Sequence, residues 1–432
     1  MANLRIPYET AEETGVFLEL EVPGQNLQIQ CIPQKQKPIE DVARVAEEAT
    51  ESPAEGPKFS ELIRGGKRVT FITENQFRAA PAREILPNLV EKAKQSGCDI
   101  SILIGCGKVP PLTPGEIEQK LGSQLASSGI PIICNDVSKP EKYQYMGTTR
   151  MGIPLFVHET VASADVIVTI STTQATLWGY GGSGMIIPAV SGNETIELNH
   201  VMSLAPDCVP GNNDCSMQID KYEALEMARV HMGINVIVDN SGRVIFINAG
   251  SPVESHRAAV RRYNEIYQFS LPELKRKKAD IVITGSTAPT DHLYFHTGWA
   301  AVNCDPLVRD GGIILHATPC PGYGDWPGFA LMDLMKPYLP ASRENHIKAL
   351  RDLYQREKEL WAGCIWYKIY ELMTRKQVWL VTNKANLAMC KEIGLTAYES
   401  IDQAFKQAIA KCGREARLAF VPYGRYTVIK PN

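Results

Sequence analysis

Short runs of β-branched and apolar residues recur through the first half of the chain: RVTFIT at 68–73, DISILIG at 99–105, IPIIC at 130–134 and DVIVTIS at 165–171. Helical stretches at 82–97 and 114–129 separate the early ones. This rhythm restricts the fold more than any other feature. Strands joined through helices need right-handed crossovers, and those lay the strands side by side in parallel. The rhythm resumes later, with ADIVIT at 279–284, a helix from about Asp291, GGIILHA at 311–317, helices across 341–375, QVWLVT at 377–382 and RLAFVP at 417–422. A chain of 432 residues also exceeds what one core usually serves. The expected class is α/β, with two domains whose largely parallel sheets are flanked by helices. The first would span 1–270 and the second 276–423, divided in the polar stretch 269–278, with 424–432 returning to the first.

Local signals add detail. Alternation around Pro23-Gly24-Gln25-Asn26 predicts a hairpin over 16–32, followed by an exposed connection over 33–66. Residues 234–250 read as strand, turn and strand, and Pro252 can start a helix. Thr113, Pro114 and Glu116 form a capping-box pattern. A net charge of −3 argues against a nucleic-acid partner, and the basic run 275–278 reads as a solvated turn. No leader-like or membrane-length apolar stretch occurs, so the expectation is a soluble, cytoplasmic protein without a membrane partner. The 11 cysteines include no C-x-x-C pair. Cys208 and Cys215 come nearest to one, and a reducing cytosol disfavours a disulfide there.

Ligands of α/β sheets bind beyond the C-terminal strand ends. After the first core strand comes Arg78, suited to a carboxylate or phosphate, or to a plain ion pair with Glu74 or Glu84. After the second, Gly105 and Gly107 allow a tight turn into the capped helix. After the fourth, Gly179, Gly181, Gly182 and Gly184 crowd together and could bring backbone N–H groups to an anion. Their G-x-G-x-x-G spacing starts eight residues beyond Ser171 and precedes a proline-bearing segment, so it is not a dinucleotide fingerprint. Trp178 and Tyr180 beside them would be costly to expose. His200 lies two turns into a helix from about Asn193, as a structural residue or a metal ligand. His292 and His296 are spaced to share a helical face, as a chelate, an acid–base pair or simple helix-start residues. His316 ends a strand at a ligand-facing edge.

Together these segments resemble the nickel-pincer lactate racemase family across nearly the whole chain. The family's Asp-His-Thr-Arg-Pro loop corresponds to Asn75-Gln76-Phe77-Arg78-Ala79, and its Gly-Phe-His-Arg-Pro loop to Gly107-Lys108-Val109-Pro110-Pro111. Its glycine-rich loop leading to Asn-His corresponds to the stretch ending at Asn199-His200, and its Gly-Gly strand to Gly311-Gly312. The resemblance implies an isomerase that moves hydride at carbon 2 of a 2-hydroxy acid, using a nickel-pincer nucleotide in a cleft between the domains. It implies Arg78 in the substrate site, His200 on the nickel and Asp291 in the active site, with Asn75, Gly179, Tyr180, Gly181, Gly182 and Gly184 on the cofactor side. The lysine that tethers the cofactor falls on Gly184, the acid–base histidines on Val109 and Gln174, and a glutamine and lysine of the second domain on His296 and Trp299. Valine and glutamine cannot transfer protons near neutral pH. The implied enzyme is a racemase or epimerase with a non-covalently held cofactor and a substitute proton-transfer group, His296 first, then His292 and Tyr180. Two alternatives stay open. One is a nickel-independent lyase or hydratase using His200, His292, His296 and His316; the other is a non-catalytic binder of organic acids or nucleotides.

Overall fold

The computed structural model describes residues 1–9, 16–272, 277–355 and 360–430, so Lys275 and Arg276 of the basic run lie outside the described residues. The chain opens with β1 (Ala2–Glu9), β2 (Val16–Val22) and β3 (Leu27–Gln30). The hairpin expected over 16–32 does not form. β2 pairs antiparallel with β1, while β3 pairs in parallel with a strand some 390 residues away, Ile29 opposite Ala419. The backbone does turn at Pro23, whose carbonyl accepts from the Asn26 N–H. The Asn26 carboxamide, however, donates to the Arg414 and Ala416 carbonyls at 2.7 and 3.0 Å and delivers β3 to that distant edge.

One compact unit spans residues 35–174 and 178–263. Its strands are β4 (Arg68–Glu74), β5 (Asp99–Gly105), β6 (Ile132–Cys134), β7 (Val166–Thr172), β8 (Met232–Val238) and β9 (Val244–Gly250). They lie in the order β9-β8-β7-β4-β5-β6. All pairs are parallel except β8–β9, which is the expected strand–turn–strand. Ile72, Leu103 and Ile167 line one core face with Leu155, Val157 and Leu225. Four helices matter below: α1 (Pro114–Leu121), α2 (Asn193–Met202), α3 (Ser216–Met227) and α4 (Pro252–Tyr267). The capping box forms at α1, with Pro114 in its first turn, and α4 begins at Pro252.

The other unit comprises residues 1–34, 175–177 and 264–432. Its later strands are β10 (Gln268–Ser270), β11 (Ala279–Thr284), β12 (Val308–Ala317), β13 (Gln377–Val381), β14 (Thr396–Tyr398), β15 (Leu418–Val421) and β16 (Val428–Lys430). The main sheet runs β14-β13-β12-β11-β15-β3. The division therefore differs from the expected one at both ends. Leu4, Ile6, Leu20 and Val22 of β1 and β2 share a core with Ile281, Ile283, Ile313 and Leu315. The terminal β16 pairs with β10, at the very end of the expected first domain, and both strands belong to this unit. Gly285 admits the backbone of β1, since a Cβ there would stand 2.2 Å from the Pro7 carbonyl oxygen. Among the described residues no helix is long and apolar enough to cross a membrane.

Candidate functional site

At the end of β4 the chain turns on Asn75, whose side-chain oxygen accepts from the Phe77 N–H at 3.1 Å. Asn75, expected on the cofactor side, thus uses that oxygen to build the turn. Arg78 is half-buried and its guanidinium donates to the Phe77 carbonyl at 2.9 Å. Buried Glu74 accepts from the Thr172 N–H and hydroxyl at 2.9 and 2.8 Å and from the Ala80 N–H at 3.3 Å, tying this loop to the end of β7. From α1, the Lys120 ammonium donates to the carbonyls of Arg78 and Ala80 at 2.9 and 3.1 Å. Lys120 is half-buried, and desolvation of its amine pushes the pKa down to about 8.

After β5, Gly107 takes a φ of +55° and its carbonyl accepts from the Asn135 carboxamide at 3.1 Å. Lys108 pairs with Glu197 of α2 at 2.5 Å, both largely buried. Val109 beside it is also buried and offers no proton-transfer group.

The segment after β7 is packed, with Gln174, Trp178 and Tyr180 all buried. Tyr180 lies edge-on to Tyr263, which gives its ring a packing role. The loop is held from below by its carbonyls. Lys221 of α3 donates to the Tyr180 carbonyl at 3.1 Å, His256 of α4 to that of Gly181 at 2.8 Å, and the Ser171 hydroxyl to that of Gly182 at 3.0 Å. Gln218 donates to the Ser183 hydroxyl at 2.5 Å. The Gly181 carbonyl can only accept, so His256 carries a proton on Nε2, and its Nδ1 lies 2.8 Å from the Tyr222 hydroxyl. Burial pushes its pKa down to about 4. Gly182 has φ +101°, and a Cβ there would stand 2.9 Å from His256 Nε2, so only glycine fits.

His200 lies on α2 as expected. Its Nδ1 is 2.8 Å from the Ile196 carbonyl, which can only accept, so Nδ1 carries the proton. Nε2 is left with its lone pair and makes no hydrogen bond among the described residues. Burial pushes the pKa down to about 4, which keeps the ring neutral, and Trp178 packs edge-on at 5.5 Å. The neighbouring Asn199 carboxamide donates to Asp220 at 2.7 Å, and burial raises the Asp220 pKa. No group of three metal-ligating side chains occurs among the described residues.

In the other unit, the expected shared helical face of His292 and His296 is absent. The helix starts only at Tyr294, because Leu293 is extended and the Tyr294 N–H bonds the Gly328 carbonyl. His292 is partly exposed, its Nδ1 3.1 Å from buried Asp291. His296 is buried against Phe295, ring centroids 4.0 Å apart, and lies 6.2 Å from Trp299. Trp299 donates its indole N–H to the Phe295 carbonyl at 2.7 Å, and the Arg425 guanidinium lies 3.8 Å over its ring. Arg425 also donates to the Ala175 carbonyl at 2.9 Å. Nearby in sequence, Ser286 bridges His316 Nε2 at 2.9 Å and Thr297 at 2.5 Å, and Thr318 bonds Thr297 at 3.2 Å. Burial pushes the His316 pKa down to about 3.

Sequence reasoning missed Lys120, Lys221, Tyr222, His256 and Arg425. One signal was available: Gln218, Lys221 and Tyr222 put polar groups at helical spacing on a face that is buried.

Three comparisons bear on this arrangement. Residues 15–209 match the lactate racemase N-terminal domain. The chain is 23% identical to a lactate racemase of Thermoanaerobacterium thermosaccharolyticum over the full length of both, and 22% identical to one of Lactiplantibacillus plantarum over 89% of this chain and 90% of that one. The fold superposes on the lactate racemase apoprotein of T. thermosaccharolyticum with a TM-score of 0.87 at 21% identity, covering 99% of this chain and 100% of that one. A Thermotoga maritima protein is similar at a TM-score of 0.67 and 16% identity, over 89% of this chain and 98% of its own. The mixed α/β class, with parallel sheets flanked by helices, is therefore that of a solved lactate racemase.

Proposed function

We propose, from a chain whose residues 15–209 match the lactate racemase N-terminal domain and which aligns over its full length with one lactate racemase, that it is an isomerase that racemises or epimerises a small 2-hydroxy acid. The observation that carries this reading is the tautomer of His200. With Nδ1–H donating to the Ile196 carbonyl, the neutral ring offers Nε2 as a ligand. That suits the histidine on the nickel of a pincer nucleotide. Gly184 does not suit a covalent tether: it has no side chain, and a Cβ there would press Pro188 at 3.3 Å. The nucleotide is accordingly read as held without a bond, along residues 179–184. When bound, it supplies the hydride-accepting chemistry. The chain's own residues bind and orient: Arg78 takes the substrate carboxylate through its planar fork. Proton transfer falls to His296, with His292 next, since Val109 and Gln174 lack a suitable group.

The test is to make the protein in a strain that builds the pincer nucleotide. Nickel is then measured by elemental analysis, and interconversion of D and L forms of a panel of 2-hydroxy acids by chiral chromatography. The expected outcome is about one nickel per chain and turnover, both lost in His200→Ala. A nickel-free protein with His200 intact sinks the reading. Turnover without nickel would favour a lyase or hydratase on the same fold, and ligand binding without turnover a binding protein.

A further inference from the structure

Two lysines of the β4–β9 unit share an arrangement that packing alone does not explain. Lys221 is 3% exposed, yet its ammonium donates to a single main-chain carbonyl and makes no ion pair among the described residues. Lys120, half-buried, donates to the carbonyls of Arg78 and Ala80 and makes no contact ion pair among the described residues, the Glu74 carboxylate acting on it from farther away. Removing an ammonium from water without a carboxylate in contact is unfavourable, and an apolar side chain of similar length would normally pack better. In both cases the carbonyl reached belongs to a loop leaving the C-terminal edge of the sheet, where ligands of such sheets bind.

We infer that Lys120 and Lys221 are positioning residues, which hold the Arg78 loop and the glycine-rich loop by their main-chain carbonyls and so set how Arg78 and residues 180–184 are presented to a ligand. This rests on the reading of those two loops as the ligand-binding side. Turning a carbonyl inward onto a fixed donor restricts the rotation of its peptide plane. The loop then keeps one conformation whatever its outward side chains are. A charged donor suits this task because its bond to a carbonyl is stronger than a neutral one. Lys221 does not act alone, since His256 and Ser171 grip the next two carbonyls.

The experiment uses the full-length protein and the variants Lys120→Met, Lys221→Met and Lys221→Gln. Amide hydrogen exchange is followed by mass spectrometry, with unfolding temperature and racemisation kinetics measured in parallel. Lys221→Met is expected to speed exchange in peptides covering 178–190 about tenfold or more, and Lys120→Met to do so in 75–82, while β4 and β7 stay protected. The unfolding temperature is expected to hold or rise, because a desolvated charge has been removed. Lys221→Gln, which keeps an N–H donor, should recover part of the protection. In an active enzyme, kcat should fall more than KM rises. Unchanged loop exchange in a folded variant overturns the inference, as does a uniform loosening with a lower unfolding temperature, which would mark ordinary core packing. The outcomes separate from those of the functional reading. An inactive wild type with locally loosened variants keeps the positioning role and loses the racemase; an active wild type with unaltered loops does the reverse.

Discussion

At the edge of the β4–β9 sheet, buried donors act on main-chain carbonyls: Lys120 on Arg78 and Ala80, Asn135 on Gly107, Lys221 on Tyr180, His256 on Gly181. At the ends of β11 and β12 the side chains of a buried cluster bond one another, Ser286 with His316 and Thr297, and Thr297 with Thr318. A loop held by its backbone does not depend on which side chains it shows outward. Side chains such as Val109 and Gln174 can therefore vary while the loops keep their shape. In a cluster made of side chains, each side chain is part of the framework, and a substitution removes a bond from every partner.

Acidification tests both regions and should have the largest effect. His200 and His256 of the first unit are held neutral down to about 4, and His316 of the second down to about 3. In the unfolded chain a histidine takes its proton near 6.5, so below that pH the unfolded state binds more protons. Stability is full above about 6.5 and falls with pH until the folded pKa values are reached, by about 1.4 kcal/mol per pH unit for each such histidine. Urea unfolding at pH 7 and at pH 5 measures this, and equal midpoints would show that the three rings are not buried as described.

Next comes His316→Leu, which leaves the Ser286 hydroxyl short of a partner and should cost about 2–4 kcal/mol in urea unfolding at pH 7. A cost near zero would break the contrast drawn between the two edges. The glycine-rich loop supplies a sharper pair. Gly182→Ala forces a side chain at φ +101° against His256 and should cost about 2 kcal/mol by the same measurement. Gly184→Ala meets only the Pro188 ring at 3.3 Å with an ordinary backbone, φ −82°, and should stay within about 1 kcal/mol of wild type. Reversed values would mean that the loop is not gripped at Gly181.

The strand alternation, the capping box at Thr113, the helix start at Pro252 and the helix of His200 were legible in the sequence, because each depends on neighbours a few residues away. Partners were not. The turn at Pro23 was read correctly, but the Asn26 side chain sends β3 to Leu418–Val421, a choice that no local pattern records. The histidine spacing at 292 and 296 matched one helical face, yet a single long-range bond, Tyr294 N–H to Gly328, starts the helix two residues too late. The grip on the loops was hidden for the same reason: Lys120 and His256 are 40 and 75 residues from the carbonyls they hold.

The seating of β3 beside β15 has a consequence for biosynthesis. Its partner is synthesised some 390 residues later, so β3 waits without that pairing while the whole of 35–263 is made and can fold as a unit. Closing so distant a contact is slow, and during that delay Leu4, Ile6, Leu20 and Val22 of the paired β1 and β2 lack the β11 and β12 side chains they are buried against, which leaves an apolar face open to chaperones.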